Sequence, residues 1–296
     1  MRSGALAALV ALCALHGSAL RTTTHHQNLP RREVLLKVAA ASTALVPSTA
    51  ARAADRVCVE KDIQGAYESD CMREATRTFE WERVGKLVIE QGTVGPGATG
   101  AAVWNAGAEL ADYLAANPAT VDGKLVLEMG CGTGLCGIVA SRLGAKAVLL
   151  TDGVEPVLER AQRNIEANAK ERMIRTRKLQ WGTLAVEEQL RGKFDVLLAS
   201  DVLYQSSAWR EIGVTAHELL KPGTGQLLLA EAGHANTPTQ ATLEGFRSVA
   251  QSCGLAFEEQ IDLGGKAVLQ ICRAREAASS PARRRELLLA AAASRS

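Results

Sequence analysis

From about residue 79 onward the chain alternates between two hydrophobic patterns. Short continuous apolar runs read as strands: "KLVLEMG" (124–130), "AVLLTD" (147–152), "FDVLLASDVLY" (194–204), "GQLLLAEAG" (225–233) and "AVLQICRA" (267–274), with "RTRKLQW" (175–181) as a further one. Between them the apolar positions recur at helical spacing, in "LCGIVASRLG" (135–144) with its glycine stop, in residues 155–169, and near 207–220 and 238–253. Pro156 falls in the first turn of the second of these helices, where a missing N–H costs nothing. Strands that are apolar along their whole length, alternating with helices, predict an α/β fold with a parallel sheet covered on both faces. The glycine-bearing turn "DLGGKAV" (262–268) instead predicts a hairpin between the last two strands, which makes the final strand antiparallel to the rest. No internal repeat is visible.

The two ends of the chain do not follow this pattern. Residues 1–20 have one positive charge, an apolar run from Ala5 to Leu15 and small residues after it, the layout of a secretory signal. "RTTTHHQNLP" is hydroxylated, basic and free of acids, as transit peptides are. Arg31 and Arg32 then precede a moderately apolar stretch ending in Ala51-Arg52-Ala53, the arrangement of a twin-arginine export signal. In series the three resemble the targeting sequence of a nucleus-encoded protein in an alga with a complex plastid. The expected location is therefore the plastid, in the thylakoid lumen or the stroma, with the mitochondrion or secretory pathway as the alternative. Three regions follow: a presequence over 1–53, a folded domain over 54–275, and a disordered basic tail over 276–296.

Composition narrows the function classes. The 296 residues are 47% apolar, enough for a sizeable core. A formal charge of +2, from 34 basic and 32 acidic residues, leaves no global field to recruit nucleic acid or an anionic membrane. No stable membrane insertion of the mature chain is expected, and we take it to be a monomer. Seven cysteines form no C-x-x-C pair and stand in no zinc-ligand spacing with histidine, so no metal is expected. Cys58 and Cys71 could pair in an oxidising compartment, but we read them as isolated buried thiols.

The stretch "VLEMGCGTGLCG" (126–137) concentrates the candidate chemistry. Gly130, Gly132 and Gly134 lie between a strand and a helix, where they let the main chain turn sharply and a ligand approach it closely. A dinucleotide fingerprint would place its last glycine where this chain has Leu135. Glu128, two residues before the loop, suits a ligand carrying an ammonium group and repels a pyrophosphate, which favours S-adenosyl-L-methionine as cofactor. Asp152 ends the second strand, where a carboxylate accepts ribose hydroxyls or caps the following helix. Trp181 is either a wall for adenine or core packing, and Trp104 opens the helix before the first strand. Asp201, at the carboxyl end of "FDVLLAS", together with Tyr204 could orient an amine, although Asp-x-x-Tyr also suits a plain strand end.

Taken together, "TGAAVWNAGAELADYL", "VLEMGCGTGLCGIVASRLGA", "VLLTD", "LQW" and "ASDVLY" resemble the seven-β-strand protein-lysine methyltransferases of the methyltransferase-16 family, over residues 79–274. The resemblance implies a Rossmann-like class I S-adenosylmethionine-dependent methyltransferase fold: seven strands, mostly parallel with an antiparallel last strand, and helices on both faces. It assigns cofactor contacts to Trp104, to the loop bearing Gly130, Cys131 and Gly132, to Asp152, to Trp181 and to Ser200. It places Asp201 and Tyr204 at the lysine site as the catalytic pair, with a protein as the substrate. One departure is that many relatives keep an arginine after the fifth strand, whereas this chain reads "LLLAEAGHANTP". Substrate contacts on that side can therefore differ, and His234 there is read as a loop residue without a role. Three other readings stay open: a small-molecule N-methyltransferase, a catalytically silent module that still binds S-adenosylmethionine, and a nicotinamide-dependent dehydrogenase disfavoured by Leu135.

Overall fold

A computed structural model describes residues 60–63, 66–95, 97–169, 172–182, 188–233 and 239–275. The expected presequence, the expected basic tail and His234 lie outside these residues. Among the described residues five α-helices follow the chain: α1 (Asn105–Ala116), α2 (Leu135–Arg142), α3 (Glu155–Asn168), α4 (Trp209–Leu219) and α5 (Thr239–Ser252). The strands are β1 (Glu60–Ile63), β2 (Ala66–Ser69), β3 (Thr76–Trp81), β4 (Gly85–Glu90), β5 (Leu125–Met129), β6 (Ala147–Asp152), β7 (Ile174–Lys178), β8 (Val196–Ser200), β9 (Gln226–Ala232), β10 (Leu255–Asp262) and β11 (Ala267–Ala274).

Seven strands form one sheet in the order β10-β11-β9-β8-β5-β6-β7. Pairing is parallel from β9 through to β7, and β11 runs antiparallel to both of its neighbours. The hairpin predicted at 262–268 is the β10–β11 turn, with Gly264 and Gly265 both at positive φ. Continuous apolar strands are needed because each face of the sheet has its own core. Val196 and Leu198 of β8 face one core with α1, α2 and α3, while Leu197 and Ala199 face the other with α4 and α5. Leu127, Leu197 and Leu198 are fully buried, each contributing about 1.5–3 kcal/mol over an exposed position.

Two short hairpins, β1–β2 and β3–β4, stand outside this sheet. The second docks on α3 through two asparagines acting like a strand edge. Asn168 Oδ1 accepts from Val88 N at 2.9 Å and its Nδ2 donates back to Val88 O, and Asn164 does the same with Glu90. Asn164 Nδ2 also donates to Thr133 O in the glycine loop at 2.9 Å, so this residue of α3 links the hairpin to the loop. Phe79 and Trp81 stack at 5.6 Å, and Trp81 Nε1 donates to Asp112 of α1. Cys71 is buried and disulfide-bonded, which corrects its expected state as an isolated thiol. Among the described residues no helix is long and apolar enough to cross a membrane.

Candidate active site

The strand register assembles the site. Met129 pairs with Thr151 on one side and with Ala199 on the other, so Gly130, Asp152 and Ser200 leave three adjacent strands at one level. The chain order reverses beside β5, where β6 and β7 lie to one side and β8 and β9 to the other, and ligands of open parallel sheets bind in such crevices. A cavity of about 690 Å³ opens there. Its lining takes in Trp104, Glu128, Gly130, Cys131, Gly132, Asp152, Trp181, Ser200, Asp201 and Tyr204.

The loop after β5 has to be bare. Gly130 has φ +64°, and a Cβ there would stand 3.0 Å from both Trp181 Cζ2 and Val202 Cγ1. Gly132 has φ +51°, and its Cβ would meet Gly100 O at 3.1 Å. Gly134, expected at the cofactor, instead caps α2 in the left-handed region and packs on Leu150, away from the cavity lining. Its role is helix entry, and Thr133 takes the lining position.

Three acids of the cavity, Asp152, Glu128 and Asp201, are tied to main-chain donors. Asp152 Oδ2 accepts from Gly132 N at 3.2 Å and Oδ1 from Val154 N at 3.0 Å, so it links the glycine loop to the start of α3. Burial raises its pKa, opposed by the N–H groups of Val154, Gly132 and Gly153. Glu128 is 2% exposed, and its Oε2 accepts from Gly137 N in α2 at 2.8 Å. Burial pushes its pKa up to about 8 despite that donor and the Cys136 thiol beside it. The Cys131 and Cys136 thiols are also pushed up, chiefly by burial and next by the Glu128 charge.

Asp201 has the only positive φ, +50°, among the described non-glycine residues. Its Oδ2 accepts from Ala106 N in the first turn of α1 at 3.1 Å, and its Oδ1 from Ala232 N at 3.0 Å. Tyr204 stands at the mouth, 52% exposed. Trp104 precedes α1 and its Nε1 donates to Thr99 O at 2.8 Å, while Trp181 sits in the turn after β7, half-buried against Gly130.

The sequence profile of the lysine methyltransferase family, Methyltransf_16, matches residues 83–238, just over half of the chain. The chain belongs to this lysine methyltransferase family. Over 154 residues it is 31% identical to the protein-lysine N-methyltransferase EFM3 of Chaetomium thermophilum, covering 49% of this chain and 46% of that protein. Over 152 residues it is 31% identical to the protein N-lysine methyltransferase METTL21A of Danio rerio, covering 50% and 62%. The protein N-terminal and lysine N-methyltransferase efm7 of Schizosaccharomyces pombe is 38% identical over 113 residues, covering 34% of this chain and 43% of that one. The chain thus spans about half the length of the curated relatives it matches.

In this methyltransferase domain the cavity has lining residues that the sequence did not single out. Thr99 and Gly100 close over the glycine loop, a Cβ on Gly100 standing 3.0 Å from Gly132 Cα. Gln180, Gln205 and Glu211 complete the wall toward α4. Oε2 of Glu211 is buried with no hydrogen-bond partner among the described residues. Among the described lining residues there are four carboxyls, Glu128, Asp152, Asp201 and Glu211, and no lysine, arginine or histidine.

Proposed function

We propose that the protein is an S-adenosylmethionine-dependent N-methyltransferase that methylates a lysine side chain of a protein substrate. The observation that carries this is the make-up of the cavity wall. Phosphate sites gather cations, whereas the described lining here holds carboxyls and no lysine, arginine or histidine, which suits a ligand bearing an ammonium and a sulfonium, and an acceptor that arrives as a cation. The residues also fit the cofactor sterically, because a Cβ at Gly130 or Gly132 would fill the cradle. Asp152 keeps unused lone pairs for ribose hydroxyls, and the Trp181 face offers a wall for adenine. Bound there, S-adenosylmethionine supplies a methyl group made electrophilic by its positive sulfur.

The chain's own residues then align the acceptor. A free lysine amine has a pKa near 10.4 and must lose its proton before it can attack. Its nitrogen lone pair forms the new N–C bond as the C–S bond breaks, leaving S-adenosylhomocysteine, and a proton leaves the methylated nitrogen. Asp201 lines the cavity with its carboxyl held by two main-chain donors, a fixed acceptor against which an amine N–H can be oriented for attack. The Tyr204 hydroxyl at the mouth can hold the same amine.

The test is transfer of label from methyl-labelled cofactor into a plastid extract. Label in a protein band that yields methyl-lysine on hydrolysis supports the proposal. Label in a small metabolite makes the protein a small-molecule methyltransferase, and calorimetric binding without any product makes it a silent module. We also propose the plastid as its location. The Cys71 disulfide supports the lumen over the stroma, since disulfides persist in oxidising compartments. Imaging a fluorescent protein fused behind residues 1–53 tests this, and cytosolic fluorescence would exclude it.

A further inference from the structure

Strand β9 carries an acid in its apolar interior to which the chemistry above gives no part. Glu231, next to the last residue of β9, is 1% exposed. Its Oε1 accepts two hydrogen bonds, from Val202 N at 2.9 Å and from Leu203 N at 3.0 Å. Those are the two peptide groups directly after Asp201. The exchange also runs the other way: Asp201 N donates to Ala230 O at 3.0 Å, and Ala232 N donates to Asp201 Oδ1 at 3.0 Å. Residues 201–203 and 230–232 therefore clasp each other through four hydrogen bonds, three accepted by carboxyl oxygens and one by a main-chain carbonyl.

The clasp coincides with the strained point of the site. A left-handed backbone at a non-glycine residue costs roughly 1–2 kcal/mol and persists only when its surroundings impose it. We infer that Glu231 is a positioning residue for the transfer: by holding the peptides of Val202 and Leu203, it imposes the bend at Asp201 that sets that carboxyl and the Tyr204 ring at the acceptor end of the cavity. This rests on Asp201 and Tyr204 facing the acceptor, as proposed above. The state of the acid agrees with the role. Burial, and next the neighbouring Asp201 charge, hold the Glu231 pKa well above the ordinary carboxylate range. Its accepting atom is a single oxygen, Oε1, that takes both N–H groups. A glutamine can reproduce that oxygen, while a leucine of similar bulk leaves two buried N–H groups without a partner.

The experiment compares Glu231→Gln and Glu231→Leu with the parent in steady-state kinetics on an acceptor protein and in calorimetric binding of S-adenosylhomocysteine. The expected result is a kcat within about threefold of the parent for Glu231→Gln, and a loss of roughly a hundredfold for Glu231→Leu with product affinity changed less than about threefold. If Glu231→Leu does not fold, Glu231→Gln still decides: a kcat loss beyond about tenfold in a folded glutamine variant overturns the inference. It is equally overturned if Glu231→Leu keeps the parental kcat, or if its product affinity falls in parallel with kcat. Failure of the underlying proposal looks different, because then the parent itself transfers no methyl group to any protein.

Discussion

The state of Glu128 makes the sharpest prediction, and Glu128→Gln is the perturbation that reads it. A carboxyl whose pKa moves from the ordinary 4.5 to about 8 on folding binds its proton more tightly in the native state than in the unfolded chain. The unfolded chain therefore binds fewer protons across that window, and the contribution of Glu128 is greatest below pH 4.5 and erodes as pH rises through about 8. At about 1.4 kcal/mol for each pH unit, the erosion comes to roughly 5 kcal/mol over the whole window and about 3 kcal/mol by neutral pH. Glutamine keeps an oxygen for Gly137 N and carries no charge to desolvate. Its stability advantage over glutamate should be near zero at about pH 5 and grow to several kcal/mol by about pH 8.5. Urea unfolding of both proteins at acid, neutral and alkaline pH measures the difference directly, with the other titrating groups common to both. A glutamine-minus-glutamate difference that stays constant with pH to within about 0.5 kcal/mol refutes the buried, proton-holding Glu128.

Three further outcomes follow from the same geometry. Asp152→Ala removes a charge-assisted acceptor and should weaken S-adenosylhomocysteine binding by roughly ten- to a hundredfold in calorimetry, and unchanged affinity would detach Asp152 from the cofactor. Gly130→Ala forces a Cβ into the left-handed region 3.0 Å from Trp181 and Val202. It should cost about 1–3 kcal/mol of stability in urea unfolding and at least about tenfold in cofactor affinity, and parental values in both assays would show that the loop does not need its bare backbone. Asp201→Asn replaces one accepting oxygen by a donor facing a main-chain N–H, so kcat should fall at least about tenfold and stability by about 1–3 kcal/mol, with cofactor affinity changed less than about threefold. An unchanged kcat removes Asp201 from the transfer.

How far the fold was legible depended on whether the signal was local. "AVLLTD" and "AVLQICRA" became β6 and β11 with their expected bounds, because turn residues bracket each run. "FDVLLASDVLY" gives a strand that stops at Ser200, although the apolar pattern continues. The stop is the clasp with β9, a contact some thirty residues away, and no local rule announces it. "RTRKLQW" likewise ends at Lys178, and Leu179–Trp181 leave the sheet edge to form the cavity wall. The β3–β4 hairpin was missed although its buried positions alternate along "TRTFEW" and "GKLVIE", a period-two signal available to inspection. In a string, three evenly spaced glycines look equivalent. Only the packing of Gly134 on Leu150 separates the one that starts a helix from the two that line the cavity. Glu231 did carry a sign, an ionisable residue inside an apolar strand, but its target lies on another strand.

Four carboxyls around one cavity would repel each other and destabilise the fold if each were free, and the structure shows how three of them are accommodated. Glu128, Asp152 and Asp201 bond to N–H groups at the glycine loop and at the starts of α1, α2 and α3, where helix ends leave donors unpaired. The architecture that provides the crevice therefore also supplies the donors that let acids line it. The degree of closure then separates their roles. Glu128, 2% exposed, ties the end of β5 to Gly137 of α2 and so fixes the two elements that flank the glycine loop. Asp152 and Asp201 are held by their donors and line the cavity. Glu211, with a buried oxygen lacking a partner among the described residues, sits on the first turn of α4 with Gln205 and Tyr204 nearby on the preceding segment. Selectivity among lysines is then expected to reside in this rim, because the deeper acids are already committed to the scaffold and would receive any amine that reached them.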